Sequence, residues 1–255
     1  MSNKKIVLLI GDSDSGYIVY NELVKHFDIS AVIVEAKPSA KSILRRRMRK
    51  LGILTVLGQI GFKLLIERFL IKKSKKRINE IYQTYSLSSN KVAPTLYVTN
   101  INDRRVLQEL QSIQPDAIVV NGTRIISQEI INCTKAKMIN THAGVTPRYR
   151  GVHGAYWALA EKDEENCGVT IHLIDQGIDT GDIVGQKIIK VTEKDNFSTY
   201  PLLQLAKALP LLVQAVEDEL KGELKTMSRP DLNSKLWSHP TLFQYLKYRL
   251  LRRVR

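Results

Sequence analysis

Asn140 and His142 stand two residues apart at the end of a short apolar run, and Asp179 follows His142 by 37 positions within Gly177-Ile178-Asp179-Thr180-Gly181-Asp182. Met138 and Ile139 lead into Asn140 as a strand would. On a strand, residues two apart project to the same side, so the amide and the imidazole can share one pocket. An imidazole beside a neutral hydrogen-bond donor can handle a proton and steady a developing oxyanion. A carboxylate from later in the chain could hold that imidazole or relay a proton through water. Plainer readings stay open: Asn140 as a turn residue, His142 as a solvated strand end, and Asp179 as the cap of its own turn.

The elements that must position these groups read as α/β. Lys5 to Ile10 is an apolar run ending at Gly11, as for a buried parallel strand. Tyr17 to Phe27 follows as a helix, and Ile29 to Val34 as a second strand. After a long basic stretch the rhythm resumes at Thr95 to Val98. Asn102-Asp103 caps a helix whose apolar face is Val106, Leu107, Leu110 and Ile113. Ala117 to Val120 and Met138 to His142 are the next strands, and Ser198 to Leu224 predicts a helix across the sheet despite Pro210. This alternation implies a parallel-rich sheet with its site at the strands' carboxyl ends. The expected layout is a catalytic domain over 1–225, including a basic helical insertion at 41–83, and a basic tail over 226–255. The turn Gly11 to Gly16 keeps only its end glycines, so it is no dinucleotide fingerprint, and it lacks a P-loop lysine. It is either a tight strand-to-helix turn or a backbone cradle for phosphate.

The net charge of +14 is unevenly spread. Thirteen Lys or Arg lie between Lys41 and Arg77 against one acid, Glu67, and His239 to Arg255 adds five more with no acid. Such segments serve as a solvated face, a site for an anionic ligand such as a nucleotide diphosphate, a membrane-surface contact, or an RNA contact. Leu51 to Leu70 has the length of a membrane span, but Lys63, Glu67 and Arg68 interrupt it and three glycines weaken it. An amphipathic helical pair lying over the body is expected instead. A hydrophobic content of 44% argues against general disorder, and the two cysteines exclude a disulfide framework and offer no zinc spacing. No metal is therefore expected. The N-terminus reads as a first strand rather than a leader, which places the expected location in the cytoplasm, with the inner membrane face within reach of the basic segments.

Taken together, Asn140 to Gly151 (NTHAGVTPRYRG) and Gly168 to Ile183 (GVTIHLIDQGIDTGDI) resemble the folate-dependent formyltransferase family. That family includes glycinamide ribonucleotide transformylase, methionyl-tRNA formyltransferase and the nucleotide-sugar N-formyltransferases. The family's Asn-x-His and later Asp fall on Asn140, His142 and Asp179, and its Pro-(Lys/Arg)-(Tyr/Trp)-Arg-Gly turn on Pro147 to Gly151. The likeness is sharpest over about residues 115 to 190. It implies a Rossmann-like fold and transfer of a formyl group from 10-formyltetrahydrofolate, the co-substrate, to a primary amine. Asn140 and a protonated His142 would donate to the oxyanion, with Asp179 as their partner. The pterin pocket would use Asn121, Gly122, Thr123, Arg124 and Ile125 after one strand, and Asp175, Gln176 and Gly177 before Asp179.

On the acceptor side the resemblance points to Gly11, Arg148, Tyr149, Arg150 and His153. His172, on the same side of its strand as Thr170 and Ile174, either supports Asp179 or is a core histidine, and Trp157 is expected in the core. The chain departs from the glycine-serine loop of the purine-pathway enzymes at Gly11, and leaves no room for the β-barrel domain of the tRNA enzymes. The expected acceptor is thus an amino sugar on a nucleotide, as in surface-polysaccharide biosynthesis. Phosphoribosylglycinamide and methionyl-tRNA remain as alternatives, and so does a module of another class that binds RNA or anionic lipid without catalysis. DNA is not an expected partner, and a homodimer is left open.

Overall fold

A computed structural model describes residues 4–255. Met1 to Asn3, on which the reading of the N-terminus partly rests, lie outside the described residues. The chain runs through β1 (Ile6–Gly11), α1 (Asp14–Leu23), β2 (Ile29–Glu35) and the helices α2 (Ala40–Leu51) and α3 (Ile53–Gly61). A π-helical turn (Phe62–Glu67) joins α3 to α4 (Arg68–Lys73), and α5 (Lys75–Thr84) follows. Next come β3 (Leu96–Val98), α6 (Arg104–Ile113), β4 (Ala117–Asn121), α7 (Gln128–Ile131) and β5 (Lys137–His142). The remainder is β6 (Arg150–Gly151), α8 (Gly154–Ala160), β7 (Gly168–Leu173), β8 (Ile183–Ile188), α9 (Tyr200–Lys221), β9 (Leu236–Trp237) and α10 (Leu242–Arg252).

The main sheet has the order β3-β2-β1-β4-β5-β7-β8. Its first five strands are parallel, as the alternating pattern predicts, and β1 lies centrally with Leu8 between Val32 and Val119. Period-two alternation along β1 explains why both faces are apolar. Leu8 and Ile10 face a layer formed with α1 and the Leu209, Leu212 and Val216 stripe of α9. Val7 and Leu9 face the opposite layer, with Val106 and Leu110 of α6. Each such buried side chain contributes roughly 1.5–3 kcal/mol. Pro210 is tolerated in α9 on its exposed side.

β7 and β8 depart from the parallel pattern: β7 runs antiparallel to β5, and β8 antiparallel to β7. The connection from β7 to β8 spans only residues 174 to 182 and contains no helix. A parallel return needs a crossover of a dozen or more residues, so the short link forces an antiparallel one. The antiparallel pairing of β7 with β5 sets Asn140 opposite His172 and His142 opposite Thr170.

The basic insertion is a longer assembly than a helical pair. Gly52, at φ 81°, breaks α2 from α3, and α3, the π-turn and α4 then run as one helical rod. The rod's inner side carries Val56, Gln59 and Phe62. The glycines that weaken it as a helix let α10 approach: a Cβ at Gly58 would stand 2.9 Å from Thr241 Cβ. Phe62 packs against Phe197, Tyr245 and His239 at 4.8, 4.9 and 5.3 Å between ring centroids. Gln59 donates to the His239 carbonyl at 2.7 Å. The tail therefore docks on the insertion, and Trp157, as expected, is in the core, donating to the Ser238 carbonyl.

His153 and His239 meet edge to face, with ring centroids 4.6 Å apart, inside this cluster. Burial holds His239 down to about 4, with Arg47 and Lys63 adding to the effect. Burial, His239 and Arg47 hold His153 well below the ordinary imidazole value. Both folded-state values lie below those of the unfolded chain, so the unfolded chain binds more protons as pH falls from about 6.5 towards 4. The stabilisation is complete above that window and is lost through it. His239 alone accounts for about 3 kcal/mol of the loss by pH 4. His239→Phe should show a shallower fall of Tm between pH 7 and pH 4.5 than the parent chain. Equal falls by calorimetry would mean that the pair does not sense pH.

Candidate active site

Asn140, His142 and Asp179 converge on one cleft of about 340 Å³ at the carboxyl ends of β4 and β5, with His172 beside them. The last pairing of β4 with β5 sets Val120 opposite Asn140, and β5 continues beyond it to His142. The Asp179 carboxylate comes back from the β7–β8 link, with Oδ1 3.4 Å from His142 Nδ1 and 3.8 Å from His172 Nε2. Its Oδ2 accepts from the Gly151 backbone N–H at 2.8 Å. Asp179 adopts φ 52°, the left-handed region that few residues other than glycine occupy. Asp175, not Asp179, caps this loop: its carboxylate accepts from Gly177 N and from Thr180 Oγ1. The carboxylate of Asp179 is thereby left to face the imidazoles.

Hydrogen-bond logic fixes the orientation of Asn140. His172 Nδ1 lies 2.7 Å from the Leu173 carbonyl, which can only accept, so Nδ1 carries the hydrogen. Burial, with His142 acting in the same direction, holds His172 below its ordinary value and keeps the ring neutral. Its bare Nε2 must then accept from Asn140 Nδ2 at 3.0 Å. The Asn140 amide is locked with its nitrogen towards His172, and its second N–H remains for a ligand in the cleft. His172 thus supports Asn140 directly and lies near Asp179.

His142 departs from the expectation that it would donate to the oxyanion. Its Nε2 lies 2.8 Å from the Tyr149 carbonyl and its Nδ1 faces Asp179, so each nitrogen meets a protein acceptor. Neither ring nitrogen is left free for a ligand in the cleft. In this geometry Asn140 keeps a free donor towards the cleft, and His142 is held between Asp179 and the Tyr149 carbonyl. Gly144 makes the contact possible, since a Cβ there would stand 2.8 Å from His142 Nε2.

Three residues expected on the acceptor side sit elsewhere. The Arg148 guanidinium turns away to pair with Asp163 at 2.9 Å. Tyr149 is fully buried with its hydroxyl on Asp163, and only its carbonyl reaches the site, through His142. His153 is enclosed with Phe197 and His239. Arg150 grips the Asp179 loop from outside, Nη1 donating to the Ile178 carbonyl at 3.4 Å. Of the eight residues expected around a pterin, Gly122, Thr123, Arg124, Ile125, Asp175 and Gly177 line the cleft. Asn121 is buried at the end of β4 with Oδ1 unpartnered, and Gln176 is exposed on the loop.

Gly11 lines a second cavity, of about 490 Å³, that shares Gly122, Thr123, Arg124 and Gly151 with the first. Lys37 and the α2 residues Arg46, Arg47 and Lys50 give it a cationic wall. Composition signalled these cations, but only long-range packing decides which of them turn inward. The buried Glu35 carboxylate accepts from Ile101 N and Arg124 N at 2.7 and 2.8 Å and faces the Arg124 guanidinium at 3.6 Å. This tie between β2 and the 122–126 loop had no local sequence signal. Among the described residues, no group of three or more His, Cys, Asp or Glu side chains could hold a metal ion.

Residues 67–215 match the family described as Formyl transferase. A methionyl-tRNA formyltransferase of Thermodesulfovibrio yellowstonii is 34% identical over 130 residues, which make up 51% of this chain and 42% of the relative. The chain thus spans less than half of that relative's length. Among solved structures, an N-formyltransferase from Helicobacter canadensis in complex with folinic acid and dTDP-3-aminofucose superposes with a TM-score of 0.55 at 18% identity, covering 91% of this chain and 70% of that one. A glycinamide ribonucleotide transformylase from Symbiobacterium toebii gives 0.55 at 16% identity, covering 93% and 96%. At these identities the structural likeness is one of fold.

Proposed function

Because this chain belongs to the formyl transferase family, we propose that it moves a formyl group from 10-formyltetrahydrofolate to a primary amine carried by an anionic acceptor, a nucleotide-linked amino sugar. The observation that carries this reading is the pair of adjoining cavities, one holding Asn140, His142 and Asp179 and the other walled by Lys37, Arg46, Arg47 and Lys50. The donor supplies the formyl carbon. A flat heterocycle rich in donors and acceptors suits the cleft at Gly122, whose φ of 72° turns backbone groups towards it. As the amine attacks, Asn140 donates its free N–H to the oxygen on which charge grows, a contribution of roughly 3–4 kcal/mol. The attacking nitrogen loses a proton and the leaving folate nitrogen gains one. Asp179, which lines the cleft beside His142, is the base placed to take that proton and return it through water, and His142 holds the carboxylate in position.

The cationic cavity is large enough for a nucleotide-sized group, and the Helicobacter canadensis enzyme was solved with dTDP-3-aminofucose. A charged tRNA is a second reading, favoured by the name of the Thermodesulfovibrio relative and equally anionic. The test is incubation with 10-formyltetrahydrofolate and, separately, amino-sugar nucleotides, glycinamide ribonucleotide and charged methionyl-tRNA, read by mass spectrometry. A formylated amino-sugar nucleotide is expected. Formylation of tRNA alone would replace the acceptor and leave the chemistry standing. Release of tetrahydrofolate without any formylated product would make water the acceptor and end the proposal.

A further inference from the structure

The rod from Ile53 to Lys73 is apolar on both sides. Its inner side is spent on the core, yet its outer side still presents Leu54 (85% exposed), Leu57, Leu64, Leu65 and Phe69. α10 lies against the rod, its Leu242 behind Gly61, and leaves Phe243 (77% exposed), Leu250 (80%) and Leu251 uncovered. Single exposed leucines are ordinary, but two neighbouring helices both apolar on the outside make a surface built to be covered. Exposed cations lie on the same helices and on the one before them: Arg45 and Arg49 on α2, Lys72 and Lys73 on α4, Arg249 and Arg252 on α10.

We propose that this face docks on an anionic lipid bilayer, the rod and α10 lying in the headgroup region. Charge selects the occupant. The segment Lys41 to Arg77 carries thirteen cations and one acid, and the chain from His239 onward five cations and no acid. A second copy docked by the same face would bring those cations together unneutralised. A bilayer of acidic phospholipids meets both needs, taking leucine and phenylalanine side chains at the acyl boundary and cations at the phosphates.

A further cavity, of about 630 Å³, opens between α4, α5 and α10. Phe69, Leu70, Tyr245 and Leu246 give it apolar walls, with Lys73 and Arg249 among its cations, a combination suited to an acyl chain and its phosphate. Among the described residues no helix is long and apolar enough to cross a membrane, so the contact is one of lying on the surface. The inference stands whichever amine is the acceptor, because none of these apolar residues lines the catalytic clefts.

The test is flotation of the full chain with vesicles of phosphatidylglycerol and phosphatidylcholine, and with phosphatidylcholine alone. Strong binding to the first and weak binding to the second is expected, weakening with salt as the cation–phosphate contacts are screened. Leu54→Ser combined with Leu65→Ser and Phe69→Ser, all exposed positions, should weaken binding by at least about tenfold while leaving the circular dichroism melt unchanged. No binding to the acidic vesicles, or equal binding to both kinds, would overturn the proposal. So would concentration-dependent self-association abolished by the same triple substitution, since it would assign the face to a second copy. Donor binding by the same sample, followed by calorimetry, separates a failed membrane contact from a failed catalytic reading.

Discussion

Replacing Asn140 with alanine should lower turnover by about a hundred- to a thousandfold while the protein still folds and binds the formyl donor. Removing one donor to a developing oxyanion has about this effect in acyl transfer. The effect belongs in kcat rather than KM, because the second N–H of Asn140 meets full negative charge only as the amine attacks. Folding should survive because Asn140 is half-buried and its place in β5 rests on backbone pairing with β4 and β7. His172 Nε2 loses its partner but can turn to water in the widened cleft. Steady-state rates with the preferred amine, together with donor affinity, check the result. Turnover within a few-fold of the parent would remove Asn140 from the reaction.

The second large effect is expected from Asp179→Asn, at a hundredfold or more in turnover. Asparagine has the same size, accepts the left-handed backbone of this position about as readily as aspartate, and can still accept from Gly151 N through its oxygen. Its amide nitrogen would then face His142 Nδ1, so a donor replaces the acceptor that orients the imidazole, and the site loses the carboxylate base that faces the cleft. A variant that keeps the parent's rate would reduce Asp179 to a brace for Gly151. Asp179→Ala would not separate these roles, since it also empties the loop that Arg150 and Gly151 clasp.

The parallel half of the sheet was legible because buried strands declare themselves as apolar runs bounded by turns, from Ile6 to Ile10 and from Ala117 to Val120. β7 was legible as a strand but not in direction, because a strand's own residues do not say which way it runs against its neighbour β5. Asn140 and His142 were legible as a pair through the two-residue period of β5. What each ring nitrogen faces was not, since the Tyr149 carbonyl and the Leu173 carbonyl are backbone groups that carry no sequence signature. Arg148, Tyr149 and His153 were misplaced for a related reason. A turn rich in arginine and aromatic residues suggests a ligand, yet Asp163, which draws two of those side chains away, is distant in sequence from the motif.

Gln59 and His239 stand 180 positions apart, yet a hydrogen bond and the rings around Phe62 make insertion and tail one brace. The insertion enters between β2 and β3, while the tail follows α9 and, through β9, pairs with β6, whose Gly151 donates to Asp179. A graft that moves this brace must carry both far-apart segments together, because either one transplanted alone would arrive without the ring partners that hold it.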